Sequence, residues 1–108
     1  MELITRLEEV LLMSIWRLND NAYGVTINKE VSERAKKKYS MGALYFSLDQ
    51  LHKKGLVTKD IGNPTSERGG RSKIFYRLTT AGKEALHYAR QLQDSLWDGI
   101  PKLAFTKK

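Results

Sequence analysis

The stretch SMGALYFSLDQLHKKGLVTKDIGNPTSERGGRSKIFYRL, Ser40 to Leu78, carries the reading of the fold. Ser40 is an N-cap residue, and Leu44, Leu48 and Leu51 recur behind it at the spacing of one helix face. Gly55 stands where a glycine closes a helix, so a helix of about fourteen residues is expected. Leu56 to Ile61 and Lys73 to Leu78 then read as strands, separated by a polar, glycine-rich loop from Gly62 to Gly70. Two such strands with a long tip form a β-hairpin.

Upstream, the Tyr23-Gly24 turn leads into a second amphipathic segment. Val25, Ile27, Val31 and Ala35 are its apolar positions, and it ends in Lys36-Lys37-Lys38. Helix, short turn and helix over residues 24 to 54 have the spacing of a helix-turn-helix, although paired amphipathic helices occur in many small α proteins. A hairpin following at once makes the arrangement a winged helix.

The flanks complete the chain. Thr5 and Glu8 form a T-x-x-E capping box ahead of Leu7, Val10, Leu11, Ile15 and Leu18, which predicts a helix from about Arg6 to Leu18. Leu12 and Trp16 project from another side, so this helix is expected to be buried from two directions. Thr79 caps a last helix reaching about Asp98, with a stripe of Ala81, Ala85, Tyr88, Ala89, Leu92 and Leu96. Leu86 and Trp97 form a second small apolar face on it. The stripe is longer than the remaining elements need for cover, which points to burial against a second copy of the chain. The expected dimer contacts are Leu12, Trp16, Tyr88, Leu92, Leu96 and Trp97.

The fold class is therefore α+β, mainly helical: a winged helix-turn-helix of three helices and a two-stranded wing, plus a long C-terminal helix. Residues 1–79 are expected to form the winged unit and 80–108 the dimerisation helix with a short tail, all in one compact body. The 108 residues suffice for one modest core.

A formal charge of +7 suits a polyanionic partner. Its placement narrows the choice, because Arg68, Arg71, Lys73 and Arg77 crowd the hairpin against only Asp60 and Glu67. The absence of cysteine excludes disulfides, thiolate metal sites and zinc fingers. No signal peptide or membrane-length apolar run is read, so a cytoplasmic protein is expected. His52 and His87 stand on separate helices without a nucleophile or second ligand at a diagnostic spacing, and the glycine-containing loop lacks a P-loop's G-K-[ST]. Neither an enzyme nor a bound metal or cofactor is expected.

A winged helix sets its third helix in the major groove of double-stranded DNA and lays the hairpin on the backbone or minor groove. The outward residues of that helix are Gly42, Tyr45, Phe46, Asp49 and Lys53, with Ser40 and Gly42 offering N–H groups near its positive end. Tyr45 can pack on a thymine methyl or reach a phosphate, and Phe46 either does the same or tucks under the wing. Asp49 would repel phosphates; it either accepts from a cytosine amino group or lies on a plain solvated surface. Lys38, Arg68, Arg71 and Lys73 are the expected phosphate contacts. A winged helix serving as a protein-interaction module, its basic wing incidental, is the competing reading.

Leu7 to Trp16, Ala22-Tyr23-Gly24, Gly42-Ala43-Leu44-Tyr45, Lys54-Gly55-Leu56-Val57, and Gly69-Gly70-Arg71 through Arg77-Leu78-Thr79 together closely resemble the PadR-like transcriptional regulators. The resemblance spans nearly the whole chain. It implies a homodimer built from the first and last helices, acting as a repressor released by a small molecule or stress signal. It places Tyr45 at the family's recognition-helix tyrosine, and Arg71 and Lys73 at its wing cations. The proline that commonly follows that tyrosine is replaced by Phe46, and Asp49 makes the surface less basic, so operator sequence does not transfer. The single last helix resembles the short branch of the family. Some members bind flat aromatic compounds between the dimer halves, which would put Trp16 and Trp97 in an effector cavity, with core or interface packing as their alternative fate.

Overall fold

A computed structural model describes residues 3–62 and 73–102. In chain order it contains α1 (Arg6–Leu18), a 3-10 turn (Asn19–Asn21), α2 (Gly24–Ala35), α3 (Met41–Lys53), β1 (Val57–Ile61), β2 (Ile74–Leu78) and α4 (Thr80–Trp97). The two strands pair antiparallel, with Val57 opposite Leu78 and Ile61 opposite Ile74. Each begins one residue later than the sequence pattern suggests, β1 because Leu56 is occupied in closing α3.

That closure is a Schellman turn. Gly55 takes φ 75°, where glycine is unstrained. Its N–H donates to His52 O (3.0 Å) and the Leu56 N–H donates to Leu51 O (2.9 Å). The exit from α3 is thereby fixed, and the wing leaves the domain in one direction. At the other end Ser40 Oγ accepts from the Ala43 N–H at 3.1 Å. Both ends of α3 are held locally.

The hairpin is anchored along β2 as well as at its base. The Tyr76 N–H donates to Ala22 O (2.8 Å), and Tyr23 bridges to Phe75, so the segment between α1 and α2 adds a rudimentary third strand. Val57 and Tyr76 are buried, whereas Ile61 and Ile74 are exposed. The strands project from the core as they run toward the tip.

Helix α1 is the hub, contacting α2, α3, β2 and α4. Its Thr5–Glu8 capping box forms, with the Glu8 N–H donating to Thr5 Oγ1 (3.0 Å) and the Thr5 N–H donating to Glu8 Oε1 (2.9 Å). Enclosure on so many sides corrects one expectation. Leu12, assigned to a surface for a second chain, is 0% exposed and packs in the chain's own core with Leu11 and Ile15. Trp16, one turn on, is 43% exposed.

Two smaller corrections follow from how the other helices lie. Val25 is exposed at the start of α2, and Gly24, Ile27 and Val31 face inward instead. Leu86 belongs to the core, while Trp97, expected to share its face, is 57% exposed. Among the described residues, nothing of the chain covers the last turns of α4, where Leu96 and Trp97 are exposed.

The joint that docks α4 is built on backbone. Thr79 donates its N–H to Leu56 O (3.1 Å) and its hydroxyl to Gly55 O (2.7 Å), while Oγ1 accepts from the Gly82 N–H (3.0 Å). One residue thus ties the end of α3, the wing and the start of α4.

Candidate nucleic-acid interface

Among the described residues nothing covers the outward face of α3. Tyr45 and Phe46 are exposed, Phe46 at 66%, so Phe46 does not tuck under the wing. Gly42 is also exposed, and a Cβ built there would meet nothing within 4 Å. Internal packing therefore gives no reason for glycine at this position. Lys53 lies exposed at the far end of the same face, and Lys38 is exposed just ahead of Ser40.

Tyr45 is partly committed to the fold. Its hydroxyl lies against Gly24 at the start of α2, where an added Cβ would fall 2.0 Å from the oxygen. The Tyr23-Gly24 turn consequently does two things: it starts α2 without a side chain and leaves the place where the α3 tyrosine seats. The pairing of Gly24 with Tyr45 joins residues far apart in sequence, and no local pattern announces it.

Asp49 has a partner that the sequence reading missed. Lys59 Nζ on β1 donates to Asp49 Oδ1 at 2.8 Å, tying the exposed face of α3 to the wing. The hydrogen bond from the Lys59 ammonium holds the Asp49 carboxyl below its usual range, and Asp49 in turn raises Lys59. Lys53 and His52 add smaller attractions to the carboxylate. Lys59 sits opposite Tyr76 across the ladder, but its reach back to α3 follows only from how the hairpin leaves Gly55.

Just ahead of β2, at the tip end of the described ladder, the Lys73 ammonium lies 4.0 Å from the centre of the Tyr23 ring and 5.9 Å from that of Phe75. The two rings meet edge to face at 5.4 Å. A lysine held over aromatic faces is presented on a fixed base. Arg77 pairs with Asp20 at 2.9 Å, which directs it toward the 3-10 turn. Arg68 and Arg71 lie outside the described residues.

Residues 11–88 match the transcriptional regulator PadR-like family. The chain belongs to this family. A PadR family transcription regulator from Clostridium difficile R20291 is 32% identical to it, with 82% of this chain and 88% of that chain covered and a TM-score of 0.67. RosR of H. salinarum is 26% identical over 91% of this chain and 81% of that chain, also with a TM-score of 0.67. A PadR-like regulator from Bacillus cereus strain ATCC 14579 is 22% identical over 83% and 82%, at TM-score 0.67, and is similar in fold. No individually curated protein is significantly similar to the chain. As a PadR-like protein the chain carries the DNA-binding winged helix of a regulator of transcription, with α3 and the β1–β2 hairpin in the positions of recognition helix and wing.

The remaining assigned residues of this PadR-like chain fall on α1 and α4, away from that surface. Tyr88 and Leu96 are exposed and Leu92 is half-buried. Tyr88 and Leu92 line a groove of about 240 Å³ together with Leu3, Ile4 and Ala85, between the start of α1 and the middle of α4. Trp16 sits elsewhere. Its ring meets His87 edge-on at 6.2 Å, with the Lys83 ammonium 5.2 Å from the ring centre. Trp97 is ten positions beyond His87 on α4, about 15 Å along the axis. The two tryptophans assigned to one effector cavity are thus not brought together within a single chain. Among the described residues no helix is long and apolar enough to cross a membrane.

Proposed function

We propose that this PadR-like chain is a repressor that binds, as a cytoplasmic homodimer, a pseudo-palindromic operator with half-sites about one helical turn apart. The observation that carries the DNA reading is the uncovered face of α3, where Gly42 leaves room for close approach and Tyr45, Phe46 and Lys53 stand outward. Lys38 adds positive charge just ahead of it, and Lys73 on the wing and Arg71 by sequence position add more. Support for the dimer comes from the far half of α4, where Leu96 is 62% exposed beside the exposed Trp97. Apolar surface of that kind is stabilised by burial against a second copy. On this reading residues 80–108 are the dimerising part and 1–79 the DNA-binding part. Release by a small aromatic effector requires the second chain, since Trp16 and Trp97 can share a cavity only across the dimer.

Gel-shift titration against the chain's own promoter region tests the proposal. Nanomolar, salt-sensitive binding with preference over random duplex is expected. Changing Arg71→Ala and Lys73→Ala together should weaken binding to every duplex and flatten the salt dependence by about two units of log–log slope. Equal affinity for promoter and random duplex at physiological salt would sink the operator claim. Sedimentation equilibrium at micromolar concentration should return twice the 12.4 kDa chain mass.

A further inference from the structure

Asp49 lies one helical turn from Tyr45 and one from Lys53, on the face of α3 that this functional reading assigns to the groove. An uncompensated carboxylate there would oppose a polyanion. Lys59 Nζ compensates it at 2.8 Å, and both side chains are accessible to solvent. A solvent-exposed pair of this kind stabilises a fold little. Its position matters more than its contribution to folding, because the Lys59 ammonium is drawn onto the groove side of α3 and held there by a carboxylate. Lys73, at the tip end of β2, rests instead on the Tyr23 and Phe75 rings.

We propose that the Asp49–Lys59 pair is an electrostatic brake on backbone affinity. Asp49 keeps the Lys59 ammonium paired and so unavailable to DNA phosphates, and the protein binds every duplex more weakly, with one phosphate contact fewer, than its lysines would otherwise allow. The proposal rests on the DNA-binding reading above. It assigns Asp49 a role that needs no base contact, and it makes Lys59 a latent phosphate ligand.

The test is a salt titration of binding, from about 50 to 200 mM, to a promoter duplex and a random duplex. Four proteins are compared: wild type, Asp49→Asn, Lys59→Gln and the double variant, each confirmed folded by thermal melting. Asp49→Asn should raise affinity about tenfold at the low-salt end, on both duplexes alike, and steepen the log–log slope by about one. In the Lys59→Gln background the same change should leave the slope where it was, since no freed ammonium remains to displace a counterion. Equal slope changes in both backgrounds would overturn the brake. So would a gain or loss confined to the promoter duplex, which would make Asp49 a base-reading residue. Failure of the wild type to bind any duplex is a separate result, and it would overturn the functional reading together with the brake.

Discussion

Replacing Gly82 by alanine should destabilise the protein by about 3 kcal/mol, the upper end for overpacking a tight contact. The sign is the informative part. In an exposed helix the same substitution stabilises by about 1 kcal/mol, because alanine is the better helix former. Gly82 is buried in the first turn of α4, and a Cβ built there would stand 2.2 Å from Leu56 O and 3.2 Å from Leu56 C. Those atoms are backbone and cannot rotate away. Leu56 O also accepts the Thr79 N–H, so the clash falls on the joint that docks α4. Chemical denaturation at fixed protein concentration measures the loss, with Gly42→Ala as control. Gly42 has open space around it, and its change should be neutral or stabilising by up to about 1 kcal/mol. Equal effects of the two substitutions would refute the packing account.

The second large effect is expected at a buried ion pair. Glu8 is buried on α1, and Lys54 Nζ donates to both of its oxygens, at 3.0 and 2.9 Å. Glu8 Oε1 also accepts the Thr5 N–H of the capping box. Removing one partner of a buried pair costs about 3–5 kcal/mol, because the other charge is left without compensation. Lys54 is only half-buried, so water can enter where its side chain was, and about 3 kcal/mol is expected for Lys54→Ala. For a domain of this size that is a fall of at least about 12 °C in Tm. Combining Lys54→Met with Glu8→Gln should cost less than Lys54→Ala alone, since no buried charge then remains. A double variant worse than the single would show that the pair acts through shape and not charge.

Glu8 also shows where sequence reading stops. Its place in T-x-x-E identifies a cap from four consecutive residues, and the cap forms as expected. Nothing local indicates that the same carboxylate meets a lysine beyond the end of α3. Asp49 is a similar case. Its exposure follows from helical spacing, but the residue that neutralises it lies on β1, and whether a strand lysine reaches back depends on the angle at which the hairpin departs. The burial of Leu12 escapes the sequence for a third reason. A helix enclosed by four elements buries more of its circumference than its strongest apolar stripe suggests.

Helix positions, caps, the Gly55 turn and the pairing of two strands after a helix-turn-helix were all legible in order along the chain. They depend on periodicity and on short-range hydrogen bonding, and both are written in neighbouring residues. Together they were enough to indicate a winged helix and the outward face of its third helix. The seating of Tyr45 on Gly24, the Asp49–Lys59 pair, the burial of Leu12 and the separation of Trp16 from Trp97 were not legible. Each depends on distances between elements, which are set when the whole core packs, and no stretch of neighbouring residues encodes them.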